Sequence, residues 1–325
     1  MADVAHTSTD FIEDKLKKMT LAEKVSLLGG MDLWHTVPIE RLNIPSVKMS
    51  DGPNGVRGGG SFVGGVRTAC FPAGIALAST WDTDLMERVG QALGQEVKMK
   101  SAHVLLAPTV NIHRSPLNGR NFECYSEDPY LSTRMAVAYV TGVQSQGVGT
   151  AIKHFVCNDS EFERTSISSE VGERALREIY LPPFEAAVRE AKTWMVMAAY
   201  NRVNGIAATE HAYLLDEILR KEWGFDGVVV SDWFLAVKST VASVNAGLDL
   251  EMPGPPVWRG ESLLWVVEHG EVAEATIDAC VRRLLRLIER AGAFEHPDEE
   301  PEQASDLPEH RALIRQAAAE GSVLL

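Results

Sequence analysis

The run from Gly227 to Trp233 (GVVVSDW) sets a carboxylate, Asp232, directly after a β-branched stretch, with an indole beside it. One carboxylate on one ring face stabilises an oxocarbenium-like transition state, and an aromatic surface packs on the apolar face of a pyranose. Asp232 and Trp233 supply both parts. Seen alone, an aspartate after a strand more often caps the next helix, so the residue type by itself leaves both uses open.

Other polar groups are spaced along the chain in the same way. Asp51 opens DGPNGVR, which ends on Arg57; taken alone this is an ordinary Asp-Gly-Pro turn. GRNFE (Gly119 to Glu123) and YSEDP (Tyr125 to Pro129) load one loop with charge and aromatics. Lys153 and His154 sit between Ala151-Ile152 and Phe155-Val156. Neighbouring strand residues face opposite ways, so two basic side chains serving one site imply a bend there. That lysine could bind a hydroxyl, balance a carboxylate or form a Schiff base. Met195 to Asn201 reads as core strand, with Met197 inside it and Tyr200 and Asn201 at its end.

The elements that must position these groups are legible as an alternation. Apolar runs at Ile44 to Ser50, Val104 to Ile112, Thr150 to Cys157, Trp194 to Tyr200, Val228 to Ser231 and Ala246 to Met252 read as strands. Between them lie helical faces: Leu85, Val89, Leu93 and Val97; then Leu176, Ile179 and Tyr180; then Ile277, Cys280, Leu284, Leu287 and Ile288. Thr20 followed by Glu23 predicts a capping box opening a helix that Gly29-Gly30 ends. Asp51, Asn111, Lys153, His154, Asn201, Asp232 and Glu251 all fall at or near the C-terminal end of an apolar run. A (β/α)8 TIM-type barrel gathers such residues at one mouth. A doubly wound sheet would offer a glycine-rich phosphate loop after its first strand, and Gly58-Gly59-Gly60 does not match that fingerprint.

The 325 residues suffice for one large α/β barrel or two ordinary domains. A formal net charge of -14 argues against nucleic acid and anionic membrane as partners. Cys70, Cys124, Cys157 and Cys280 have no paired spacing and read as reduced thiols, mostly buried. The histidines form neither HxxxH nor HExxH, so no metal site is expected, and GxSxG is absent. The first residues lack the basic start and apolar core of a signal peptide, and no apolar run is long enough to span a bilayer. The sequon Asn158-Asp159-Ser160 lies beside Lys153-His154, where a glycan would obstruct a pocket; together these read as cytoplasmic.

DGPNGVR, GRNFE, SEDP, KHFVCNDSE and VVVSDW, in this order, resemble the N-terminal barrel of family 3 glycoside hydrolases, especially their β-glucosidases, over nearly the whole chain. The resemblance implies a retaining enzyme that releases terminal β-D-glucosyl residues from a β-glucoside or short β-glucan oligosaccharide, with no cofactor. It implies Asp232 as nucleophile, forming a covalent glycosyl ester, and Trp233 lining the pocket. It matches Asp51, Arg57, Arg120, Lys153, His154, Met197 and Tyr200 to the sugar contacts. Asp51 would accept from two adjacent hydroxyls while Arg120, Lys153 and His154 donate to others, and the cations would favour ionised Asp232.

Retaining chemistry also needs a second carboxyl about 5–5.5 Å from the nucleophile, which in the β-glucosidases of this family comes from the next domain. Here residues 1–295 read as the barrel and 296–325 as a linker and the start of a C-terminal α/β sandwich domain. That segment holds the proline- and acid-rich stretch Pro297 to Glu302, a helix at His310 to Glu320 and an apolar strand start at Ser322 to Leu325, where either disorder or self-association is expected. The histidine-bearing loop of the family's N-acetylglucosaminidases is absent, and Glu161 and Glu163 read as structural. Two rival readings are a sugar-binding fragment that turns over nothing and a lyase or aldolase using Lys153 as a Schiff base.

Overall fold

The computed structural model describes residues 2–59 and 65–324; Gly60 of the triple-glycine run and Leu325 lie outside the described residues. Thr20 and Glu23 cap one another reciprocally at the start of the helix Leu21–Leu27, as their spacing predicts. The strands in chain order are β1 (Met49–Asp51), β2 (Val104–Leu106), β3 (Gly149–Phe155), β4 (Ser168–Ser169), β5 (Met195–Ala198), β6 (Arg202–Val203), β7 (Ile206–Ala207) and β8 (Val228–Ser231). A sheet of order β1-β2-β3-β5-β8 is parallel throughout. Single bridges carry its ladder onward: Val230 to Leu250 and Glu251 to Gly29 are parallel, Gly30 to Thr36 and His35 to Lys48 antiparallel. Lys48 leads into β1, so the ladder runs round to its first strand. The architecture is a TIM-type barrel in which a reversed segment at 35–36 stands among parallel neighbours.

Why the strands read as continuous apolar runs follows from burial on both faces. Val104 and Leu106, Met195 and Met197, and Val228 and Val230 share one apolar cluster, while the alternating Leu105, Val196, Ala198 and Val229 belong to another. This is the strand period of two, with one set directed toward the barrel interior and the other toward the helices. Those helices include Thr83–Met99, Pro129–Gln144, Pro182–Arg189 and Glu274–Arg290. The predicted faces of the first and last are fully buried. The face expected at Leu176, Ile179 and Tyr180 is only partly covered, with Ile179 37% exposed.

Several strands are shorter than their apolar runs. β2 stops at Leu106, because Pro108 has no N–H to donate to a ladder. Ala246 to Met252 contributes bridges only. A small sheet, β4-β6-β7, was not foreseeable from apolar periodicity; its hairpin turns on Asn204-Gly205, both at positive φ (48° and 85°).

The stretch Pro297 to Glu302 is tied to the barrel. Lys48 pairs with both Glu299 and Glu302, Gln303 N–H donates to the Met99 carbonyl (2.8 Å), and the stretch lies against the barrel as a strap. The helix Pro308–Glu320 then packs on Thr83–Met99, with His310 Nδ1 2.8 Å from Glu96 Oε1 and Leu313 and Ala317 buried. Ser322–Leu324 is exposed coil rather than the strand start expected. Among the described residues no helix is long and apolar enough to cross a membrane.

Candidate active site

The polar groups at the C-terminal strand ends line a cavity of about 230 Å³. Asp51 is the last residue of β1, Lys153 and His154 lie in β3, Met197 in β5, and Asp232 directly follows β8. Tyr200, Trp233 and Arg120 also line this cavity, which leaves Arg57 as the one expected residue outside it. The bend expected at Lys153-His154 is present: the β3–β5 register shifts between Ile152 and Phe155, and the peptide joining the two basic residues is cis.

Asp232 does not cap a helix, since the next one begins at Val241. Its Oδ1 accepts from the Trp233 N–H (2.8 Å), while Oδ2 is buried with no hydrogen-bond partner. Burial pushes the carboxyl up to about 6, against the opposing pull of the Trp233 N–H, Lys153, Arg120 and Tyr200. Lys153 and Arg120 favour the ionised form, as expected, but loss of hydration outweighs them.

Lys153 Nζ donates to Asp51 Oδ1 at 2.6 Å. Burial opposes ionisation of Asp51, but Lys153, the Gly52 N–H and Arg57 together hold it below the usual carboxylate range. Arg57 itself stays exposed, its Nε 3.9 Å from Asp51 Oδ2, and does not line the cavity. Arg120 Nε donates to Glu123 Oε1 (2.6 Å) and its NH2 to His154 Nε2 (3.1 Å). Burial, reinforced by Arg120, Lys153 and Arg164, drives His154 well below its ordinary value, so the ring is neutral. Nδ1 of His154 lies 3.2 Å from the Asn111 oxygen and Nε2 3.1 Å from Arg120, so both ring nitrogens have protein partners.

The indole of Trp233 is fixed from across the barrel: Nε1 donates to the Leu33 carbonyl (2.9 Å), and Trp34 lies 6.0 Å away at 42°. Tyr200 donates to the Trp233 carbonyl (2.7 Å), and the Arg164 guanidinium lies 4.8 Å from the Tyr200 ring centre. Trp34, Arg164 and Phe234 line the cavity without having been singled out in the sequence. Phe234 adjoins VVVSDW, and Arg164 follows KHFVCNDSE closely, so both were within reach; Trp34 carries no such signal. Glu161 pairs with Arg164 (3.2 Å) and, with Glu163, stays outside the lining.

Of the other strand-end polar residues, Glu251 accepts from the Val257, Trp258 and Arg259 N–H groups. Asn201 Nδ2 donates to the Val156 carbonyl. Both hold loops rather than the cavity.

A parallel barrel whose strand ends present a buried carboxylate, an ion-paired one and an indole has the layout of a TIM-barrel site at the C-terminal face of its strands. The chain belongs to glycosyl hydrolase family 3: residues 33–287 match its N terminal domain. It is 62% identical over 314 residues to a beta-glucosidase of Rhizobium radiobacter, covering 97% of this chain and 38% of that protein. It is 51% identical over 314 residues to probable beta-glucosidase I of Aspergillus fumigatus, covering 97% and 37%. Among solved structures, beta-glucosidase 3B of Thermotoga neapolitana in complex with glucose superposes with a TM-score of 0.90 at 42% identity, over 97% of this chain and 47% of that one. The Kluyveromyces marxianus beta-glucosidase in complex with glucose gives 0.91 at 44% identity, over 95% and 38%. The chain thus spans less than two fifths of the length of these curated relatives.

Proposed function

We propose that this chain carries the sugar-binding and nucleophile half of a retaining β-glucosidase acting on terminal β-D-glucosyl residues. The observation that carries the reading is Asp232 Oδ2, buried at the cavity with no partner of its own. An attacking carboxylate needs one unencumbered oxygen and a companion held in place, and the Trp233 N–H holds Oδ1. Asp51, kept ionised by Lys153, accepts from sugar hydroxyls. The relatives solved with glucose support a sugar as occupant. Lys153 is engaged with Asp51 as a hydrogen-bond donor, which favours a binding use over a Schiff base.

Asp51 and Asp232 are the carboxylates among the described lining residues, and neither is placed as a proton donor to a leaving group. We assign that donor to a segment corresponding to the part of the relatives that this chain does not match, and read residues 1–295 as the barrel and 296–325 as a linker and the start of a C-terminal α/β sandwich domain. Without the acid, hydrolysis of an unactivated glucoside falls by about 10²–10⁴-fold, but attack on a substrate with a good leaving group persists. The test is intact-mass spectrometry after incubation with a 2-deoxy-2-fluoro-β-glucoside bearing an activated leaving group. Addition of one fluoroglucosyl unit to the parent chain and none to Asp232→Ala is expected. No addition to either would favour a sugar-binding fragment that turns over nothing.

A further inference from the structure

One side chain holds His154 at three points. Asn111, just beyond β2, accepts at Oδ1 from the His154 N–H (2.9 Å) and donates through Nδ2 to the His154 carbonyl (3.0 Å). Because a backbone N–H only donates and a carbonyl only accepts, these two bonds fix which end of the amide is oxygen. That same Oδ1 lies 3.2 Å from His154 Nδ1. An amide oxygen carries no proton, so Nδ1 must supply it. Across the ring, Arg120 NH2 meets Nε2 at 3.1 Å, and a guanidinium only donates, so Nε2 must present its lone pair. Both neighbours favour the same neutral tautomer, and Asn111 is the one that also fixes the backbone on either side of the ring.

The consequence falls on the carboxylate. Asp232 Oδ2 lies 3.6 Å from Nε2, and in this tautomer the two are both acceptors, so no hydrogen bond joins them. The charged groups acting on the ring from neighbouring elements are Arg120, Lys153 and Arg164, which oppose an imidazolium, and Asp232, which would favour one. Glu123 and Glu161 are engaged by Arg120 and Arg164. Tyr200 directs its hydroxyl to the Trp233 carbonyl and also acts on the Asp232 carboxyl, favouring its ionised form.

Resting on Asp232 as the nucleophile, we propose that Asn111 is a positioning residue: by holding His154 in the Nδ1–H tautomer it withholds a ring donor from Oδ2, the attacking oxygen of Asp232. An Nε2–H at the same place would donate to Oδ2, stabilise the carboxylate and blunt its nucleophilicity.

The test reads the ring directly. Side-chain ¹⁵N spectra of histidine-labelled chain between pH 5 and 8, with His154 assigned by its loss in His154→Gln, should show one neutral Nδ1–H tautomer throughout. Asn111→Asp retains an acceptor beside Nδ1 and adds a charge, so an imidazolium should appear. The carboxyl ¹³C titration of Asp232 should then fall by about 1–3 units, and labelling by the fluoroglucoside at pH 7 should slow at least tenfold. A parent spectrum showing Nε2–H or an imidazolium at pH 7 overturns the proposal. So does an Asn111→Asp chain that forms the imidazolium with the Asp232 titration unmoved. If Asn111→Asp does not fold, Asn111→Leu replaces it, and an unmixed Nδ1–H tautomer there overturns the proposal. These spectra need no turnover, so a parent that fails to label would count against the nucleophile reading and leave the tautomer result intact.

Discussion

Asp232 is costly to keep charged where it sits, and that cost sets two measurable properties. Its pKa, raised to about 6 by burial, means that the reactive carboxylate accumulates only as pH climbs through that value. The fluoroglucoside labelling rate should therefore rise with pH with a midpoint near 6; a rate flat from pH 4 to 8 would contradict the burial argument. The same shift is a stability statement. A carboxyl whose folded pKa lies above its unfolded value stabilises the fold fully below about pH 4 and loses that contribution as pH rises through about 6. Asp232→Asn should thus gain up to about 3 kcal/mol at pH 7, visible as a higher Tm, and nothing comparable at pH 4. A variant that loses labelling while gaining stability is the expected signature of a functional residue held at energetic cost.

At the scale of elements, the packing of Thr83–Met99 on Pro129–Gln144 depends on two glycines that propensity would disfavour. A Cβ at Gly142 would stand 2.1 Å from the Glu87 carbonyl oxygen, and one at Gly90 would stand 2.6 Å from that of Tyr139. In an isolated helix Gly→Ala gains up to about 1 kcal/mol. Here backbone blocks the added methyl on the facing helix, and Gly142→Ala should instead destabilise by about 1–3 kcal/mol. Thermal unfolding checks the sign, and glucose binding below the transition should be unchanged, since neither glycine lines the cavity. The capping box at Thr20 and the faces of the first and last long helices were legible because they are local and periodic. The need for glycine at 90 and 142 was not, because only the docked neighbour creates it.

For the molecule as a whole, the strap from 297 to 303 ties the C-terminal segment to the barrel. Lys48 is almost wholly buried and carries two carboxylates, while Lys100 Nζ donates to the Arg67 and Gln303 carbonyls (both 2.6 Å). Removing one partner leaves a buried charge without full compensation. Glu302→Gln should cost about 2–4 kcal/mol, and Lys48→Met with Glu302→Gln should cost less than the sum of the two single changes. Denaturant midpoints of the four chains measure this coupling, and strict additivity would show that the strap contributes no specific pairing. Lys48 and Glu302 do not line the cavity, so labelling of Asp232 should survive in all four.

The chain's own pattern determined the barrel class and most of the site. Strands buried on both faces write themselves as apolar runs, and a barrel collects the polar residues that end those runs, so Asp51, Lys153, His154 and Asp232 could be grouped before any contact was known. Only the tertiary structure decided what each group does to its neighbours. Trp34 reaches the cavity through the bridges at 29–36, a pairing between segments far apart in sequence. Arg57, matched by motif, stays at the rim. The proton on His154 and the charge on Asp232 depend on which atoms burial brings within about 3 Å, and hydrogen bonding and desolvation act over that range regardless of separation along the chain.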